Sequence, residues 1–415
     1  MPRVIGIRRE DKNRWERRAP LTPEHVAELT RHGVAVVVEP APLRVFPDDA
    51  YRAAGARVDG DLSSCPIVLG VKEIPVDRLN PNTAYFFFSH VTKGQPANMP
   101  MLRRLMELHC SLVDYEKISD DRGRRLVFFG RHAGFAGMLD TLASLGRRLA
   151  WEGIDSPFAS LKLAHDYIDL EHAHGELARV ADRIRKYGIP EALHPLVIGF
   201  TGSGNASKGA QEIFDQLPYE DILPEDLSSL FSNPDLPRNI LYKVAFTRSD
   251  RANGGMAPHL RHLTALVNGI YWEPGHPRVA SLPDLLALYS GDALPRLRVI
   301  ADISCDLHGS IEANVKITTP GDPVYVYDTV SGEAVFGVAG HGPVILAVDN
   351  LPCELPVDAS QHFGDALLRF LPALSRCDWS RPLDALDLQD EIRRALIVHR
   401  GRLAPSYADL ARHLR

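Results

Sequence analysis

The chain has 415 residues, enough for two domains of ordinary size, and its 45% hydrophobic and 24% charged residues are those of a globular protein with a full core. A net charge of -6 gives no reason to expect nucleic-acid or anionic-membrane binding, and no apolar run nears the ~18 residues that span a bilayer. Five cysteines (Cys65, Cys110, Cys305, Cys353, Cys377) without a CxxC pair fit reduced thiols and no metal site. The first residues form neither a signal nor a transit peptide, so the expected compartment is the cytoplasm.

Val4 to Ile7 is a short apolar strand followed by an Arg-rich loop. Thr22-Pro23-Glu24 then starts a helix: Thr22 caps it, Pro23 suits the first helical position, and Gly33 ends it. Apolar runs of strand length follow at Ala35 to Val38, Ile67 to Val71, Tyr85 to Ser89, Leu112 to Tyr115 and Leu126 to Phe129. Their alternation with helical stretches such as Met101 to Leu108 predicts a parallel α/β domain. From about Gly134 the character changes. Gly134, Ala136 and Gly137 suit a close-packed helix running to about Leu149. The His-rich stretch Ala164 to Tyr187 predicts an amphipathic helix, ended by Gly188 and Pro190. Leu196 to Phe200 opens a second fold, with strands expected at Ile240 to Ala245, Ala265 to Ile270, Arg298 to Ile303 and Val344 to Val348. After Asn350 the chain turns helical, as in Ala359 to Phe370, and is expected to return to the first domain. The predicted division is 1–133 plus 351–415 as a substrate and catalytic domain, and 134–350 as a dinucleotide-binding domain.

The turn Gly202-Ser203-Gly204-Asn205-Ala206-Ser207-Lys208-Gly209 follows a strand and opens a helix. Glycines permit the tight turn and let the backbone approach a pyrophosphate, which the helix N-terminus stabilises. Ser207 stands where the third glycine of the pattern is usual. An ordinary strand-to-helix turn is the competing reading, and the context outweighs it. An acid that binds ribose is expected about 20 residues on. The positions are Leu223 or Pro224; Glu225 and Asp226 look like a helix start. Loss of the acid favours NADP over NAD, with Arg248 and Arg251 as candidate partners for a 2′-phosphate or, equally, solvated loop arginines.

Arg17 and Arg18 precede Ala-Pro-Leu-Thr-Pro, and a guanidinium fork held there suits a carboxylate. A surface cluster with Arg8, Arg9 and Arg14 is the competing reading. Lys72, followed by Glu73, and His90 end neighbouring apolar runs. Both would face the ligand edge of a parallel sheet, where a lysine of lowered pKa and a histidine can move protons. Asp302 and Asp306 lie at another strand end; a turn-forming Asp is the alternative for Asp306. His172, His174, His259 and His262 read as polar helix faces rather than metal ligands. An anion-catching loop that precedes the nucleotide fold suggests an amino-acid or opine dehydrogenase whose substrate domain begins at the N-terminus.

The segments RREDKNRWERRAPLTPEHV, VLGVKEIP, FFFSHVTKGQPANMPML, LVDYEKISDDRGRRLVFFG, AGFAGMLD, FTGSGNASKGAQEIFDQLP, NGIYWE, ADISCDLHGSIE and DASQHFGDALL carry a resemblance. The chain resembles the lysine–ketoglutarate reductase portion of the bifunctional lysine-degrading enzyme, also called saccharopine dehydrogenase (lysine-forming). More remotely it is similar to alanine dehydrogenase and the nucleotide-binding subunit of transhydrogenase. The resemblance implies two Rossmann-like domains, doubly wound parallel sheets with an interdomain active-site cleft. It also implies reductive condensation of L-lysine with 2-oxoglutarate to saccharopine, with NADP as cofactor and NAD as the second choice. By position Lys72 and His90 match the acid/base pair, and Glu73 and Glu116 match acids that tune the lysine. Arg18 and Arg125 match binders of substrate carboxylates, and Asp306 an aspartate beside the cofactor. The saccharopine-oxidising module is not expected here, and an oligomer is allowed. The short RSDRANGGMA stretch, Arg131-His132 and His308 depart from the pattern. The changes near Arg131 and the shortened stretch motivate one alternative, an opine-forming relative using another amine or keto acid. A second, of a different class, is a catalytically silent NADP(H)-binding sensor, against which the joint presence of Lys72, His90 and Arg18 argues.

Overall fold

A computed structural model describes residues 4–252, 255–291 and 293–414; the side chain of Arg251 lies outside the described residues. The chain divides into two compact units, Met1–Phe129 with Pro356–Arg415, and Gly130–Leu355. Both changes of unit fall at helix starts, where helices Gly130–Trp151 and Pro356–Leu368 begin.

The first unit opens with β1 (Val4–Ile7), α1 (Pro23–Arg31), β2 (Ala35–Val38), α2 (Asp48–Ala53), β3 (Arg57–Val58), β4 (Ile67–Leu69), β5 (Ala84–Phe87), α3 (Met99–Glu107) and β6 (Ser111–Asp114). The second unit holds α4 (Gly130–Trp151), α5 (Leu170–Tyr187), β7 (Val197–Thr201), α6 (Asn205–Phe214), β8 (Tyr219–Ile222), β9 (Leu241–Phe246), β10 (Ala265–Asn268), β11 (Val299–Asp302), β12 (Val324–Tyr327), β13 (Ala334–Phe336) and β14 (Val344–Leu346). The chain then returns to the first unit with β15 (Leu396–His399) and β16 (Arg402–Leu403).

Two eight-stranded sheets result, ordered β16-β15-β6-β5-β4-β1-β2-β3 and β13-β12-β14-β11-β10-β7-β9-β8. Their central strands are parallel and buried on both faces, which is why they read as unbroken apolar runs. At one edge of each sheet the pairing turns antiparallel, through β15–β16 and β12–β13. The fold is therefore α/β with mixed sheets rather than purely parallel ones. Each unit has its own core. In the first, Phe363 from the returning helix stacks on Phe129 with ring centroids 4.7 Å apart and meets Tyr115 edge-on at 4.9 Å. Among the described residues no helix is long and apolar enough to cross a membrane.

Two expectations need correction. Leu126–Phe129 is not a strand: only Arg125 forms an isolated bridge, to Ser119, and the apolar residues after it fill the core ahead of α4. The His-rich helix starts at Leu170, not Ala164, because Asp169 caps it by accepting from the His172 N–H at 2.8 Å. The second sheet also has β8, a strand not anticipated, as its outermost member, with β9 between it and β7.

Candidate active site

In the first unit β1, β4 and β5 run parallel, so their carboxyl ends share one edge of the sheet, the edge where such sheets bind ligands. The loop after β1 carries Arg8 to Arg18, the bend after β4 carries Lys72 and Glu73, and the turn after β5 carries His90. Glu10 ties the first two together. Its carboxylate accepts from the backbone N–H of Val71 at 2.7 Å and of Lys72 at 2.9 Å. Burial lifts the Glu10 carboxyl to about 7, Arg8 opposing and Glu16 adding to the rise. Sequence reasoning missed Glu10, because an acid in an Arg-rich loop reads as a solvated countercharge.

Lys72 is half-buried. Burial first and the Arg18 guanidinium second lower its ammonium from the ordinary lysine value, while Glu16 and Glu73 oppose. Glu73 holds His90: its Oε1 lies 2.5 Å from His90 Nδ1, and Lys12 Nζ reaches its Oε2 at 3.3 Å. Burial alone would raise the Glu73 carboxyl, but the His90 hydrogen bond, a backbone N–H and the His90 and Lys12 charges outweigh it and bring it to about 2. A carboxylate only accepts, so Nδ1 of His90 carries the hydrogen, and Nε2 is the ring nitrogen left to exchange a proton. His90 sits at φ 50°, a left-handed conformation uncommon for any residue but glycine. Asn98 Nδ2 donates to its carbonyl at 3.3 Å, and the buried Asp114 accepts from the neighbouring Ser89 N–H at 3.3 Å.

Arg18 is no surface charge. Its side chain is 1% exposed and that of Glu16 is 0% exposed. Nε and Nη2 donate to the two Glu16 oxygens at 2.7 and 2.5 Å, and the guanidinium stacks 4.2 Å from the Phe129 ring. Arg8 is buried as well, whereas Arg17 is exposed. Glu116 and Arg125 pair with each other, Arg125 being half-exposed. The charges that act most strongly on Lys72 are Arg18, Glu16, Lys12 and Glu73.

In the second unit Gly202 follows β7 at φ 89°, and Gly204 caps α6. A Cβ on Gly202 would lie 2.8 Å from the Gly269 carbonyl, and one on Gly204 would meet nothing within 4 Å. The turn is therefore tight on one side and open on the other, and the first N–H groups of α6, from Asn205, Ala206 and Ser207, have no carbonyl of their own helix. These residues fit a pyrophosphate. Ser207 is buried; a Cβ on Gly269 would come within 3.1 Å of its Cβ. Gly209 packs α6 on α4: a Cβ there would reach 2.2 Å from the Arg131 carbonyl. Asp302 is an internal brace, accepting from Asn268, Asn314 and Ser304 at 2.6–2.8 Å. Asp306, half-buried, packs against Gly309 in the following turn. Among the described residues no group of His, Cys, Asp and Glu is placed to hold a metal ion.

Two family descriptions match the chain: "Alanine dehydrogenase/PNT, N-terminal domain" over residues 6–136, and "Alanine dehydrogenase/PNT, C-terminal domain" over residues 292–406. The chain thus carries regions matching both the N-terminal and the C-terminal domain of that description. The N-terminal match includes Glu10, Arg18, Lys72, Glu73 and His90. The chain is 35% identical over 440 residues to the alpha-aminoadipic semialdehyde synthase, mitochondrial, of Bos taurus, covering 97% of this chain and 47% of that protein. The chain thus spans about half the length of that relative. It is 28% identical over 396 residues to the saccharopine dehydrogenase [NAD(+), L-lysine-forming] of Neurospora crassa, covering 91% of this chain and 92% of that one. Among solved structures, an L-alanine dehydrogenase shares the fold with a TM-score of 0.66 at 19% identity, covering 99% of this chain and 100% of its own.

Proposed function

We propose that the chain is an NADP-dependent oxidoreductase acting on a carbon–nitrogen bond, joining the ε-amine of L-lysine to the keto carbon of 2-oxoglutarate to give saccharopine, reversibly. The observation that carries the reading is the Glu10–Lys72–Glu73–His90 cluster at one sheet edge, in a chain that also has the Gly202–Ser207 turn. The likeness to a saccharopine dehydrogenase [NAD(+), L-lysine-forming] over nearly all of this chain supports saccharopine and L-lysine.

Attack of the amine on the keto carbon requires loss of an amine proton. The resulting carbinolamine expels its hydroxyl as water only when a proton is returned to it. Lys72, with its lowered pKa, takes the first proton and gives back the second. His90, its Nδ1–H fixed by Glu73, presents Nε2 as the second proton carrier. The nicotinamide nucleotide, when bound, supplies the hydride that the imine carbon accepts. Gly202, Ser203, Gly204, Asn205, Ala206 and Ser207 would hold its pyrophosphate, and Asp306 would lie on its nicotinamide side. The five cysteines, none of them in a disulfide, favour a reducing compartment, and we assign the cytoplasm.

One observation favours a second reading, in which another amine or keto acid is used. Both candidate carboxylate binders are already engaged, Arg18 by Glu16 and Arg125 by Glu116. Absorbance decay of NADPH with 2-oxoglutarate and a panel of amines separates the readings. Oxidation that depends on L-lysine supports the first, and oxidation with another amine the second. NADPH binding with no turnover on any pair would leave a silent sensor.

A further inference from the structure

We infer that Arg248 is the residue through which this chain reads the 2′-phosphate of NADP(H), in a cavity whose place is set by the exchanged strand order of the second sheet. The inference rests on the nucleotide-binding reading of that unit. When a Gly-rich turn ends the first strand of such a sheet, the adenine-side ribose lies at the carboxyl end of the strand next to it. Chain order puts β8 there, ending in residues 222–226 with two acids, Glu225 and Asp226. The structure puts β9 there instead.

Register makes the placement definite. Thr201, the residue before Gly202, pairs with Phe246, and β8 ends earlier, its Ile222 pairing with Val244. Thr247 and Arg248 therefore emerge beside the Gly-rich turn, while the acids after β8 sit one strand further out.

Arg248 lines a cavity of about 460 Å³ with Ile270, Tyr271, Trp272, Glu273 and Ser310. Ile270 joins this cavity to the turn, since a Cβ on Gly202 would lie 3.3 Å from its Cγ1. Trp272 is braced: its Nε1 donates to the His276 carbonyl at 2.8 Å, and Arg278 lies 4.3 Å over its ring. Two aromatic rings and an aliphatic side chain suit a purine base, and a guanidinium suits a phosphate bidentately. Asp250, the acid next to Arg248, is already spent on its own turn: Oδ2 accepts from the Thr247 N–H at 2.6 Å and from its hydroxyl at 2.7 Å. Among the described residues no acid forms an ion pair with Arg248. Glu273 is the acid in the wall that would oppose a phosphate.

The test is equilibrium binding, followed by nucleotide fluorescence and by competition with 2′,5′-ADP and 5′-AMP, on the wild-type chain, Arg248→Ala and Arg248→Lys. Wild type should bind NADPH at least about 10-fold more tightly than NADH, and Arg248→Ala should weaken NADPH and 2′,5′-ADP about 10- to 100-fold, the loss of one charged hydrogen-bonding group. NADH and 5′-AMP should stay within about twofold, and Arg248→Lys should recover part of the loss. Equal weakening of both nucleotides, no change in either, or a wild type that prefers NADH would each overturn the inference while leaving the nucleotide site standing. A wild type that binds neither nucleotide would overturn both. Arg248 is exposed, so the variants should fold, and an unchanged Tm checks this.

Discussion

Lys72 owes its lowered pKa to its surroundings: a half-buried position and a buried arginine, only partly offset by Glu16 and Glu73. Lys72→Met keeps the volume and removes the proton carrier. Turnover should fall by roughly 10²-fold or more while the NADPH dissociation constant stays within a few-fold; turnover near wild type would remove Lys72 from the mechanism. Glu10 offers a sharper readout, because its carboxyl titrates at about 7, above the ordinary carboxylate range. When it ionises, a negative charge appears against the Lys72 backbone, so kcat of wild type should show an ionisation near pH 7. Glu10→Gln should remove that ionisation from the profile while retaining measurable turnover; an unchanged profile would assign it to another group.

Among the elements, the contact that matters most for the nucleotide turn is α4 against α6. Gly134 and Gly209 let the two backbones touch. A Cβ on Gly134 would lie 2.1 Å from the Ala206 carbonyl and 2.5 Å from the Ala210 nitrogen, backbone atoms with nowhere to go. Gly134→Ala should cost about 1–3 kcal/mol by overpacking and weaken nucleotide binding through displacement of the α6 N-terminus. Gly175 is the control. It sits exposed in the middle of α5, and a methyl added there would meet nothing within 4 Å, so Gly175→Ala should add roughly 0.5–1 kcal/mol by helix propensity alone. Urea midpoints of the two variants should move in opposite directions.

For the molecule as a whole, stability against pH is governed by carboxyls that folding buries. Asp140 of α4 and Glu354, close to the return into the first unit, are both buried and act on each other, with His165 Nδ1 3.6 Å from Glu354. Burial raises both, Glu354 to about 8. A carboxyl whose folded pKa is raised binds its proton more tightly when folded. Its contribution is complete below the unfolded value of about 4.5 and is lost as pH rises through about 8, with a slope of at most ~1.4 kcal/mol per pH unit per group. Glu354→Gln, neutral at every pH, should flatten the fall in urea midpoint between pH 5 and 8 and leave the variant more stable than wild type at pH 8. An equal fall in both proteins would show that Glu354 is ionised when folded.

Read along the chain, apolar runs separated by helical stretches determined the α/β class, and Leu196 to Gly209 determined the strand, turn and helix of a nucleotide fold, because both signals are local. Lys72, Glu73 and His90 were legible for the same reason, each standing where an apolar run stops. What the tertiary structure alone decided was everything set by who sits beside whom. Arg18 was open to two readings, a carboxylate binder or one of several surface arginines, and it is sealed against Glu16 and Phe129. Glu10 carries no local signal, yet it braces the Lys72 backbone. The expected ribose acid was sought after β8, yet β9 takes the place beside β7, which brings Arg248 to the Gly-rich turn. Periodicity and composition report which face of a segment is apolar; the order of strands in a sheet is settled by the joint packing of segments tens of residues apart, which no local pattern encodes.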